Sequence, residues 1–183
     1  MNYFKTFTII ILIIFNNKSL ANENIVEILK KNNNIIFIRH ALAPGSGDPE
    51  NINLNDCDTQ RNLDLEGINQ SKEIGNFFNE NNIKIEKIFS SEWCRCKDTA
   101  LYAFQKYEIF DALNSFYDQK FYKNKNKQVK KLKNFIKNWN NNGNLILVTH
   151  FVVIMELLDI SPSSGEIIVS NKNYEVLSRK KIN

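Results

Sequence analysis

Ile35-Ile36-Phe37-Ile38-Arg39-His40 is the stretch from which the fold can be read. Apolar residues in unbroken succession describe a strand covered on both faces, since a strand with one wet face would alternate apolar with polar. Strands of that kind belong to parallel sheets packed between helices. Leu145-Ile146-Leu147-Val148 repeats the pattern after the turn-forming Asn142-Gly143-Asn144, and Ile83, Ile85, Ile88 and Phe89 mark a third, less regular strand. Helical stretches fill the intervals. Residues 65–79 carry Ile68, Ile74, Phe77 and Phe78 on one side, residues 99–107 follow the third strand, and residues 128–139 place Leu132, Phe135, Ile136 and Trp139 at helical spacing. Residues 167–169 and 174–177 predict two late strands, a hairpin at the sheet edge. This alternation predicts an α/β fold, a three-layer sandwich with a mostly parallel central sheet. The chain has no internal repeat and no Pro/Gly/Ser-rich linker, so residues 22–183 are expected to form one domain. The long irregular loop 41–62 is the kind that compact domains keep for function.

Residues 1–21 predict a signal peptide. Lys5 supplies a short positive region, residues 7–15 (FTIIILIIF) an apolar run, and Ser19-Leu20-Ala21 the small-x-small pattern of a cleavage site. The run is far shorter than the roughly 20 residues of a membrane span. The mature chain is therefore expected to begin at Asn22, to keep no membrane span, and to be periplasmic or secreted. The formal charge of the whole chain is only +4, and two of its lysines, Lys5 and Lys18, leave with the peptide. That is too mild to argue for nucleic acid as a partner. The basic excess of residues 120–137 reads as a solvated helix face.

The cysteines are Cys57, Cys94 and Cys96. In an oxidising compartment three cysteines allow one disulfide and one thiol. Positions 94 and 96 pair badly with each other in regular structure, so Cys57 is expected to bridge to Cys94 or to Cys96. With two histidines in the chain and no knuckle spacing, no metal site is expected.

Both histidines, His40 and His150, directly follow predicted strands, after Arg39 and Thr149 respectively. Ser90-Ser91-Glu92-Trp93-Cys94-Arg95 follows the third strand and leads into a helix whose first N–H groups can attract an anion. In open parallel sheets ligands bind at the carboxyl ends of the strands. Three strand ends thus converge on Arg39, His40, Arg95 and His150, and two guanidiniums beside two imidazoles suit a phosphate, whose oxygens match the planar fork of arginine.

Arg39-His40-Ala41 resembles the Arg-His-Gly signature of the histidine phosphatase (phosphoglycerate mutase-like) superfamily, here in the form of an exported bacterial branch. Arg61-Asn62-Leu63 leading to Gly67-x-x-Gln70 resembles the segment that opens the family's first helix. Ser90-Ser91 through Arg95 to Thr99-Ala100 resembles the segment with its second phosphate-binding arginine, and Thr149-His150 stands where the family has Gly-His. Ser164-Gly165-Glu166, followed by Ile-Ile-Val, is similar to its late strand. The resemblance implies hydrolysis of a small phosphorylated substrate, a phosphomonoester or phosphoramidate. His40 would attack phosphorus and become a phosphohistidine, while Arg39, Arg95 and His150 hold the equatorial oxygens. Arg61 and Ser46 are expected to contact the substrate, and no cofactor or metal is implied.

The chain departs from the family pattern at three places. Ala41 replaces the signature glycine, Phe151 follows His150 where many relatives have glycine, and residues 112–117 (ALNSFY) lack the Glu that serves many members as general acid. Asp48, in the Gly45-Ser46-Gly47-Asp48 loop, and Glu92 are the expected replacements, with Asp56 and Asp58 behind them. The missing Glu also keeps a second reading open, a catalytically impaired phosphate- or anion-binding module of the same fold.

Overall fold

The computed structural model describes residues 24–139 and 143–182, so the expected signal segment, its cleavage site and Asn142 lie outside the described residues. Strands β1 (Ile35–Arg39), β2 (Ile85–Ser90), β3 (Glu108–Ile109), β4 (Asn144–Thr149), β5 (Ile167–Ser170) and β6 (Val176–Lys180) form one sheet in the order β3-β2-β4-β1-β5-β6. β3, β2, β4 and β1 run parallel; β5 and β6 are antiparallel to their neighbours. β1 and β4 lie side by side in the middle, with Arg39 opposite Thr149. Their uninterrupted apolar runs follow from that position, because neither face meets water. The late hairpin is present, with β6 outermost and β5 against β1.

Among the described residues the helices are α1 (Ile25–Lys30), α2 (Leu65–Glu80), α3 (Cys94–Phe104), α4 (Gln119–Tyr122), α5 (Lys125–Asn138) and α6 (Phe151–Leu158). Alternate strand residues point to opposite faces, and two cores follow from that period. Ile36, Ile38, Ile146 and Val148 pack with Ile28, Ile74, Phe78 and Ala100 of α1, α2 and α3. Ile35, Phe37, Leu145 and Leu147 pack with Leu132 and Ile136 of α5 and with Val153 and Ile154 of α6. The expected three layers are thus in place. α3 begins five residues earlier than its spacing predicted and ends at Gln105, which takes a left-handed conformation (φ 59°).

Side chains from the far layers hold the chain where it leaves β1. The Ala41 N–H donates to Thr99 Oγ1 (2.9 Å) on α3, and the Leu42 N–H donates to Gln70 Oε1 (3.0 Å) on α2. Gly67 lets α2 come this close, for a Cβ there would sit 1.9 Å from the Leu42 carbonyl oxygen. Loop 41–62 has little regular structure beyond a 3-10 turn at Cys57–Thr59, capped by Asp56. A disulfide between Cys57 and Cys94, with Cα atoms 5.7 Å apart, ties this loop to the start of α3. Cys96 remains free and buried.

Candidate active site

His40 and His150 stand at the carboxyl ends of β1 and β4, each 2% exposed, with ring centroids 5.5 Å apart. Adjacent parallel strands in register place them there: the His40 N–H donates to the Thr149 carbonyl (2.9 Å), continuing the β1–β4 ladder by one bond. Ring orientation is set locally. His40 Nδ1 lies 2.8 Å from the carbonyl oxygen of Ala41. A carbonyl only accepts, so the neutral ring carries its proton on Nδ1 and keeps a lone pair on Nε2. Burial, and then the charges of Arg95, Arg39 and Arg61, push the His40 pKa well below its usual 6.5, against an opposing pull from the Ala41 carbonyl. The His150 pKa is lowered in the same way, by burial and then by Arg95 and His40. Both rings are therefore neutral near pH 7, the state a nitrogen nucleophile needs.

His150 Nε2 meets Ser91 Oγ at 2.9 Å, and that hydroxyl also reaches Asn114 Oδ1 (3.1 Å). The Asn114 amide is oriented by Glu92, whose N–H donates to Oδ1 and whose carboxylate accepts from Nδ2. A chain Glu92–Asn114–Ser91–His150 thereby fixes the second imidazole.

The histidines share a cavity of about 140 Å³ with Arg39, Arg61 and Arg95, which also admits Ser46, Asp48 and Asp118. The three guanidiniums come from three separate segments. Arg39 ends β1, donates from one terminal nitrogen to the Pro162 carbonyl (2.8 Å), and keeps a buried Nε–H without a partner among the described residues. Arg95, only 3% exposed on the first turn of α3, is in the same condition at its Nε. Buried N–H groups without acceptors are expensive, and guanidiniums gathered round one cavity suit an anion there. Arg61 donates to the Gly47 carbonyl (2.8 Å) and to the Ala43 carbonyl, which folds the 43–47 turn around its guanidinium. The expected first amides of α3 are less open than its sequence implied, because the Cys94 N–H is taken by Gln60 Oε1 (2.9 Å).

The structure therefore brings together Arg39, His40, Arg95, His150, Arg61 and Ser46. It does not leave either expected acid free in the cavity. Asp48 accepts two bonds from Arg95 (2.6 and 3.0 Å), one from the Trp93 indole (3.2 Å) and one from the Arg61 amide (3.2 Å). Burial works to raise its pKa, but Arg95, the Arg61 amide and Trp93 outweigh it and hold the carboxyl below its ordinary value. A carboxylate so held is a partner for Arg95 and a poor proton donor. Glu92 faces a neighbouring cleft with Asn114, Asn124 and Gln128. Asp56 caps its own turn, accepting from the Asp58 N–H. Asp118 is the cavity carboxylate that sequence reading missed, since it lies one residue past the segment searched for an acid.

No family model and no curated relative matches the chain. Solved structures do. The protein histidine phosphatase SixA complexed with tungstate superposes with a TM-score of 0.54 at 14% identity, covering 78% of this chain and 92% of that one. A protein from Thermus thermophilus gives 0.57 at 15%, covering 80% and 98%. A mutant phosphoserine phosphatase from Entamoeba histolytica, in complex with phosphoserine, gives 0.53 at 18%, covering 74% and 89%. The class of architecture is thus an α/β sandwich with its hollow at the strand ends. More narrowly, the chain has the histidine phosphatase, phosphoglycerate mutase-like, fold.

Proposed function

We propose that the chain is a phosphatase that transfers a phosphoryl group from a phosphomonoester or phosphoramidate to His40 and then to water. The observation that carries this reading is the His40 Nε2 lone pair at the floor of a cavity ringed by Arg39, Arg61 and Arg95, with His150 beside it. The lone pair attacks phosphorus. The guanidiniums of Arg39 and Arg95 receive equatorial oxygens, where electrostatic stabilisation is worth most in a water-poor pocket. Solved structures of the same fold, among them a protein histidine phosphatase and a phosphoserine phosphatase, support the reaction class.

The reaction takes place outside the cytoplasm. The N-terminal pattern of residues 1–21 supports this, and so does the Cys57–Cys94 disulfide, because such bonds persist in oxidising compartments. Rapid quench with p-nitrophenyl phosphate, followed by mass spectrometry, is expected to place an acid-labile phosphoryl group on the peptide containing Arg39 and His40. His40→Ala is expected to abolish turnover and labelling while retaining vanadate binding. Label on His150, or full activity in His40→Ala, overturns the assignment. An absence of turnover with intact vanadate binding in the unmodified protein leaves an anion-binding module instead.

A further inference from the structure

We propose that Asp118 is the general acid and base of this site; the proposal rests on the phosphatase reading above. Among the described residues two carboxylates line the cavity, Asp48 and Asp118. Asp48 is committed to Arg95 by a bidentate ion pair. Asp118 has no such partner among the described residues. Its Oδ1 accepts a long bond from the Lys120 N–H (3.3 Å) as the cap of α4, and its second oxygen is free to meet a leaving group.

Depth supports the assignment. His40 lies buried at the floor, whereas Asp118 is half-buried on the rim. In-line displacement at phosphorus puts the leaving oxygen opposite the attacking nitrogen, and a cavity of about 140 Å³ sends that oxygen toward the opening. The rim carboxylate is held by packing from its own short helix. Phe121 of α4 packs edge-on against Trp93 with centroids 5.1 Å apart, and Lys120 Nζ donates to the Glu50 carbonyl (3.0 Å).

The protons balance across both halves of the reaction. As His40 Nε2 forms its bond to phosphorus, the P–O bond breaks and its electron pair stays on the leaving oxygen, which takes the proton of the Asp118 carboxyl. In the second half a water oxygen attacks phosphorus, the P–N bond electrons return to Nε2, and the Asp118 carboxylate takes the water proton. Phosphate leaves and the acid is restored.

The test is the dependence on leaving group. Asp118→Asn keeps a side-chain oxygen for the α4 cap. With phenyl phosphate, whose leaving group needs protonation, kcat/KM, which reports only the steps through release of the leaving group and not the shared hydrolysis of the phosphohistidine, is expected to fall by roughly 10²–10⁴-fold. With p-nitrophenyl phosphate, which leaves unaided, the loss should stay below about tenfold, the usual scale of general acid catalysis being absent there. Equal losses on both esters indicate a structural role and overturn the proposal, as does unchanged turnover of phenyl phosphate. If the unmodified protein turns over neither ester, or turns over both without label on His40, the phosphatase reading itself has failed, and this assignment with it.

Discussion

The floor and the wall of the cavity are built on different physics. The floor, His40 and His150, is an extension of two central strands, held by ladder hydrogen bonds above two hydrophobic cores. The wall, loop 41–62 with the segment 111–122, is made of irregular chain and short helical turns and hangs on links between residues far apart in sequence. These are Asp48 to Arg95, Arg61 to the 43–47 turn, Cys57 to Cys94, and Phe121 to Trp93. The two histidines of the proposed reaction are thus placed by the fold, while the rest of the cavity wall is placed by side-chain links. On the proposed function, substrate choice can change on such a wall without disturbing His40.

The largest effect that separates the two regions should come from Asp48. Its carboxylate and the Arg95 guanidinium are both nearly buried, with side chains 9% and 4% exposed. Removing one partner of a buried pair leaves the other charge uncompensated and typically costs about 3–5 kcal/mol. Asp48→Ala is expected to lose about that much in urea unfolding, and added inorganic phosphate should restore part of it by giving Arg95 an anion. A loss below about 1 kcal/mol, the scale of an exposed pair, would mean that the wall is held by something else.

Next in size is the disulfide. A crosslink spanning 37 residues restricts the unfolded chain by roughly 3–4 kcal/mol in the chain-entropy account. The double variant Cys57→Ser/Cys94→Ser should lose stability on that scale, with the wall opening first by hydrogen exchange and the β1 and β4 amides protected longest. Native protein should offer no reactive thiol, because Cys96 is buried and its pKa is pushed up to about 12, chiefly by burial. Three titratable thiols in protein from an oxidising compartment would contradict the pairing.

The same division explains what could be read in advance. Runs such as Ile35 to Ile38 declare a doubly covered strand; two of them give the middle of the sheet with Arg39, His40 and His150 at its strand ends, and the less regular third strand adds Arg95. α6 was illegible for a related reason: Phe151-Val152-Val153-Ile154 and the residues after it are apolar almost all round and partly β-branched, so no helical period stands out. The choice of Cys94 over Cys96 depended on where α3 begins. Two residues apart on a helix point about 200° apart, which sends Cys94 to the loop and Cys96 inward, 3.4 Å from His150 Nε2. Asp48 and Asp118 could be found in the sequence only as loop carboxylates. Which one is bound to an arginine and which faces the opening depends on contacts across as many as 47 positions, and no local pattern encodes those.

The smallest expected effect is one of pH, and it tests the division by its window. For the floor, both histidines have pKa values lowered in the folded protein, so below the unfolded value of about 6.5 the unfolded chain binds protons that the folded chain does not. Their contribution is fully present above that pH and falls away as the pH drops from it toward the folded values. For the wall, the lowered pKa of Asp48 gives the same sign in a more acid window, beginning near the unfolded carboxyl value of about 4. Stability measured in urea should therefore be flat from about pH 8 to 7, decline below about 6.5, and decline again below about 4. His150→Gln should reduce the first decline and leave the second. Asp48→Asn, despite its lower overall stability, should keep the first and reduce the second. The acid limb of kcat/KM should likewise fall below the ordinary histidine value, since His40 keeps its Nε2 lone pair to lower pH than a free imidazole would. If Asp48→Asn removes the decline below about 6.5 while His150→Gln leaves it intact, the histidines are not titrating as their burial beside the three arginines requires.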